Sequence, residues 1–163
     1  MRKTISAILI ALCALAAPAW ADETKAVQLP DSLMSRAVSN AESTLDLALD
    51  FIGVRYKRGG SSPETGFDCS GFVKYLYDET LGLVLPHNAK AIAQQGERVE
   101  KTELQPGDLV FFNTMRRAFS HVGIYLGNNQ FIHAPRSGTR VRIEDMTDRY
   151  WSRRFNGARR IQQ

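Results

Sequence analysis

The chain is poor in the two residue types that build most disulfide and metal frameworks: its 163 residues hold two Cys and three His. Two cysteines are too few for a disulfide scaffold. No two of these residues stand as CxxC or HxxxH, and the lack of such a close pair argues against a metal centre. No apolar run is long enough to cross a bilayer comfortably. The excess of positive charge is small, a net +4, and gives no ground for nucleic-acid binding. Internal repeats and low-complexity tracts are also missing, so repeat arrays and disordered linkers are set aside.

What is present begins with an export signal. Arg2 and Lys3 precede the apolar run ISAILIALCALAA, Ile5 to Ala17, and Ala19-Trp20-Ala21 follows. This is the layout of a secretory signal peptide over residues 1–21, cleaved after Ala21. The run is too short for a membrane anchor, and Leu12 before Cys13 does not fit a lipoprotein signal. The expected mature chain is a single exported domain with no transmembrane segment. Its one thiol is Cys69. Charge is uneven along it: from Arg136 onward there are eight Arg against Glu144, Asp145 and Asp148. Such a basic end either attracts an anionic polymer or is a solvated face.

Residues 22–40 read as a polar lead-in, and residues 41–163 as the folded domain. Ala41, Leu45, Ala48, Leu49 and Ile52 fall at helical spacing, with Asn40 or Ser39 as cap and Gly53 as stop. Residues 56–63 carry loop chemistry. Cys69, Phe72, Val73, Leu76 and Tyr77 then form the apolar stripe of a second helix, and a short helix over residues 89–95 follows Asn88. The second half changes period. Strands are expected over residues 109–112, 121–126, 130–134, 140–143 and 157–161, with a hairpin turn at Gly127-Asn128-Asn129. Helices first and then a meander of short strands predict an α+β layout, N-terminal helices packed on an antiparallel sheet.

Cys69 stands at a helix start, where free N–H groups and the helix dipole lower a thiol's pKa and can hold an oxyanion. A nucleophilic cysteine needs a base and a group to orient that base. His121 opens the strand HVGIYL, and His133 lies in the returning strand FIHAP. A hairpin can place both imidazoles on one side. Other readings of these residues stay open: Cys69 as core filler, or Cys69, His121 and His133 as three zinc ligands. His87, in a loop before a helix start, reads as a surface or substrate-side residue.

The stretches FDCSGFVKYLY, LQPGDLVFF and SHVGIYLGNNQFIHAP, with RYKRGG upstream, resemble the NlpC/P60 family of bacterial cell-wall cysteine peptidases. The resemblance runs from about Ala41 to Ile161. It implies a papain-like α+β fold and hydrolysis of a peptide bond in peptidoglycan stem peptides or their cross-links, without a cofactor. It implies Cys69 as nucleophile, His121 as general base and His133 as the residue that orients it, acting through a thioester. Tyr56 matches a tyrosine lining the site, and Asp68 and Ser70 match residues that hold polar groups of the substrate. One departure is His87, where relatives often carry Arg. An acyltransferase or amidase on the same fold, and a silent wall-binding module, are the competing functions.

Overall fold

In the computed structural model, residues 31–114 and 116–161 are described. The signal peptide and its cleavage point fall outside them. Helix α1 spans Asp31–Asp50, beginning ten residues before the expected start at Ala41. No glycine or proline interrupts this stretch, and Asp31 places a negative charge in the first turn, which suits the positive helix end. Burial, which the apolar spacing reports, begins later. Thr44 and Ala48 are covered, whereas Leu33, Met34 and Val38 are exposed. Of the residues at helical spacing, Ala48 is covered and Ala41 and Leu45 are half-buried, but Leu49 and Ile52 are exposed, so the spacing located the packed face only in part.

Helix α2 spans Cys69–Leu81. Asp68 caps it by accepting the Gly71 N–H at 2.7 Å, and Gly82, at φ 64°, closes it in the left-handed conformation. Phe72, Val73, Leu76 and Tyr77 are buried, as their spacing predicts. The Tyr77 hydroxyl donates to the Gly107 carbonyl at 2.9 Å, and Thr44 meets Thr80 at 2.8 Å to join α1 to α2. Before α2, strands β1 (Ser61–Ser62) and β2 (Gly66–Phe67) form a two-residue ribbon where the sequence reads as loop. Strands this short carry no periodicity. Helix α3 covers Ala89–Ile92 under an Asn88 cap. It ends before Gln95 because the chain tightens: Gln94 and Gln95 donate to Ala91 and Ile92, three residues back. Strand β3, Glu97–Val99, follows at once and was not expected.

The remaining strands are β4 (Leu109–Phe112), β5 (His121–Gly127), β6 (Gln130–His133), β7 (Arg142–Asp145) and β8 (Phe155–Arg160), with helix α4 (Arg149–Ser152) between the last two. They form an antiparallel sheet in the order β3-β8-β4-β5-β6-β7. Asn128 and Asn129, at φ 50° and 61°, make the tight turn between β5 and β6. Strand β7 starts two residues later than expected because Arg140 bridges to Arg55, and Val141 exchanges backbone bonds with Gly53 and Val54.

The sheet has two buried faces. Leu109, Phe111, Val122, Ile124 and Ile132 pack under α2 and α3. Val110, Phe112, Tyr125, Phe131 and Ala158 pack on the other side with Trp151 from α4 and with Met146. Near the open end of the sheet Arg160 grips the nearly fully buried Asp108 through two nitrogens, at 2.8 and 2.7 Å. Other arginines of the basic end are likewise turned to structure: Arg140 donates to Gly53, Arg154 to Tyr150 and Arg159 to Ala93.

Candidate active site

Strand alternation puts Val122 and Ile124 on the α2 side of β5, and His121, Gly123 and Tyr125 on the other. Phe131 and His133 of β6 face that same second side. Gly123 makes the meeting of the histidines possible. A Cβ there would stand 2.7 Å from Phe131 Cδ2, 2.9 Å from the Ile132 oxygen and 3.1 Å from His133 Cβ. With only hydrogen in that space, His133 and Phe131 close over the strand. His121 Nε2 and His133 Nδ1 are then 2.6 Å apart. Trp151 stacks on His121 at 5.7 Å and meets His133 edge-on at 5.0 Å, and Phe112 and Phe131 add further rings beside the pair. Both histidines are buried. Burial lowers the pKa of each, His121 well below its usual 6.5, with His133 lowering it further. Both rings are therefore neutral near pH 7.

Cys69 is partly exposed at the head of α2. Its sulfur faces the backbone N–H of Val122, the residue after His121, and the N–H groups of Cys69 and Ser70. The thiol thus sits against the first residues of β5. The helix-start position predicts a lowered thiol pKa. Burial and the neighbouring Asp68 charge outweigh the three N–H groups and push it up to about 11. The resting thiol is protonated, so its proton must leave as the sulfur reacts. Tyr56 lies close enough for its hydroxyl pKa to be raised, by burial first and then by Cys69 and Asp68. Its O–H remains a donor at neutral pH.

Asp68 is heavily engaged. It accepts from Gly71 N–H at 2.7 Å, Gly59 N–H at 2.9 Å and Ser70 Oγ at 3.1 Å, and it pairs with His87 Nε2 at 2.9 Å. It therefore fixes the loop before α2 and the start of the helix. His87 is tied into this cap, and a Cβ on Gly71 would come within 2.8 Å of its Nε2 and 2.0 Å of the Gly60 oxygen. Beside it lies an open cleft of about 440 Å³ bounded by Asn88, Lys90, Arg117, Phe119 and Ser120. Ser120, the residue before His121, is the wall nearest the histidines in sequence; neither histidine lines the cleft.

The structure joins His121 and His133 directly, and it sets the Cys69 sulfur against the N–H of Val122, one residue after His121. Tyr56, Asp68 and Ser70 surround the thiol. Among the described residues no group of His, Cys, Asp and Glu is arranged to hold a metal ion. Two neighbours of the histidines were not singled out from sequence. Trp151 lies in the four-residue helix α4, too short for spacing to show which face it buries. Glu144 lay beyond the expected end of β7, yet the strand carries it to 3.6 Å from His133 Nε2, with Arg142 paired to its other oxygen.

Known proteins share this arrangement of elements. A Bacillus cereus NlpC/P60 family protein superposes with a TM-score of 0.71 at 32% identity, over 76% of this chain and 40% of that one. The murein DD-endopeptidase MepS/murein LD-carboxypeptidase of Escherichia coli K12 is 40% identical over 85% of this chain and 74% of its own length. Murein DD-endopeptidase MepH of the same organism is 38% identical over 82% of this chain. The chain spans 50% of MepH and 27% of a Bacillus subtilis gamma-DL-glutamyl hydrolase to which it is 44% identical. The NlpC/P60 family pattern matches residues 53–160. With a papain-like α+β fold and this span of agreement, the chain belongs to the NlpC/P60 family.

Proposed function

We propose that this chain is an exported cysteine peptidase that hydrolyses a peptide bond in peptidoglycan stem peptides or in the cross-links between them. The observation that carries this reading is the buried, neutral His121–His133 pair, with the sulfur of the helix-start Cys69 at the N–H of Val122, the residue after His121. The names of the relatives as murein endopeptidases support the substrate class.

In this reading His121 takes the Cys69 proton as the sulfur attacks the scissile carbonyl carbon, and a C–S bond forms. The carbonyl electrons move onto oxygen, where the Cys69 N–H and the Tyr56 hydroxyl stabilise them. The C–N bond breaks, and the leaving amine takes the proton held by His121. A thioester remains. Water then loses a proton to His121 and attacks that thioester. The C–S bond breaks, the sulfur takes the proton back from His121, and the acid departs. His133 orients the His121 ring throughout. Asp68 holds the helix start that presents the thiol, and Asp68 and Ser70 hold polar groups of the substrate. The basic walls of the neighbouring cleft, Lys90 and Arg117, suit the carboxylates of stem peptides. Removal of residues 1–21 and export to the periplasm or wall would bring the domain to this substrate.

Digestion of purified sacculi and defined muropeptides, with products identified by mass, tests the reading. New free amino and carboxyl termini at a stem-peptide bond are expected. A product carrying an added amine acceptor in place of water would instead establish an acyltransferase, and unchanged muropeptides would overturn catalysis altogether.

A further inference from the structure

His133 Nε2 is fully buried and has no partner within hydrogen-bond distance. A buried ring nitrogen left in this way calls for an explanation. The nearest oppositely charged atom is Glu144 Oε2, 3.6 Å away. Glu144 is itself held in place, since Arg142 binds its other carboxylate oxygen through two nitrogens. The β6–β7 register, with His133 opposite Arg142 and Phe131 opposite Glu144, sets this arrangement.

The two ring nitrogens of His133 are linked by chemistry. In a neutral imidazole one nitrogen carries hydrogen and the other a lone pair. A lone pair aimed at a carboxylate oxygen is repelled, whereas an N–H is attracted, so Nε2 carries the hydrogen. Nδ1 of His133 then presents its lone pair across the 2.6 Å contact, and His121 Nε2 must donate. That leaves the lone pair of His121 on Nδ1, the nitrogen free to receive a proton. We propose that Glu144 is a positioning residue of the catalytic centre: through the tautomer of His133 it fixes which nitrogen of His121 acts as base.

This proposal rests on the hydrolase reading for its kinetic consequence, but the tautomer itself does not depend on activity. Electrostatics agree with the geometry. Among the described residues, the charged or titratable groups facing His133 are His121 from β5 with Glu144 and Arg142 from β7, while α4 contributes the Trp151 ring. Glu144 raises the pKa of both histidines against the lowering effect of burial. Burial pushes its own carboxyl up, but His133 and Arg142 together outweigh this and hold it at about 2, below the usual 4.5. It stays ionised wherever the enzyme works. In a reaction that transiently places a proton on His121, this negative charge stabilises the imidazolium.

The test compares wild type with Glu144→Leu and Glu144→Gln, using nitrogen-15 NMR of the imidazole rings together with kinetics on a defined muropeptide. The wild-type spectrum should show hydrogen on His133 Nε2. In Glu144→Leu that preference should be lost, with kcat reduced about ten- to a hundredfold and KM within about twofold. Glu144→Gln, which keeps the side-chain shape and an acceptor oxygen, should retain the tautomer. It should also move the acid limb of the kcat/KM profile to lower pH, because the charge that raises the histidine pKa is gone. This second variant carries the test if Glu144→Leu does not fold. Hydrogen on His133 Nδ1 in the wild type would overturn the proposal, as would unchanged kcat and an unchanged pH profile in both variants. Wild-type protein inert on every muropeptide would overturn the hydrolase reading, while the tautomer shift would still decide the role of Glu144.

Discussion

At the scale of single residues, Cys69, His121 and His133 could be picked out because each stands in a patterned element. Cys69 heads an apolar stripe, and the histidines occupy the same face of paired strands. Their ionisation could not be read the same way. The helix start favours a thiolate, but burial beside Asp68 drives the pKa to about 11, and burial is a property of the packed chain. Histidine burial has a consequence for stability. Both imidazoles have folded-state pKa values below the ordinary 6.5, so the unfolded chain binds protons first as pH falls. Their contribution is complete above pH 6.5 and is lost below it. Glu144, lowered from 4.5 to about 2, adds a second loss further into acid, beginning near pH 4.5. Calorimetry should find a Tm that is flat from about pH 8 to about pH 7 and falls by on the order of 5 °C by about pH 5. A Tm that rises over that acid interval would contradict neutral buried histidines.

At the scale of elements, α2 and the β5–β6 hairpin were legible because their signals are local. Asp68 and Gly82 bracket the helix, and Asn128-Asn129 make the turn. Strands β1, β2 and β3 were hidden because two or three residues cannot show a period. Strand β7 was misplaced by two residues because its start is set by backbone bonds from residues 53–55, which lie far away in sequence. That shift concealed Glu144. Gly123 is where element and site meet. Its backbone is ordinary for a strand, so its value lies in space rather than in φ. Gly123→Ala must push against the Phe131 ring and the Ile132 carbonyl. The expected cost is about 1–3 kcal/mol of stability, measured by urea unfolding. Muropeptide cleavage should fall with it, because the same shift opens the 2.6 Å contact between the histidines. Wild-type stability and activity in this variant would show that the pair does not need the close approach.

At the scale of the whole molecule, the α+β class followed from the order of signals, and the sheet with helices α1–α3 on one face and α4 on the other agrees with it. The chain sets a helix start against the first residues of β5 at its thiol, and Lys90 and Arg117 line a separate open cleft. The arginine-rich end reads in sequence as either a surface for an anionic polymer or a solvated face. Part of it is structural, with Arg160 holding buried Asp108 and Arg142 holding Glu144. Sequence counts charge but does not say which charges are already paired. The central claim is that Cys69 forms the bond to the scissile carbonyl. It is met most directly by measuring peptide release from purified sacculi by wild type and by Cys69→Ala, with both proteins shown to be folded. Release should fall by at least about a thousandfold in the variant. Release at the wild-type rate from folded Cys69→Ala protein would contradict the claim.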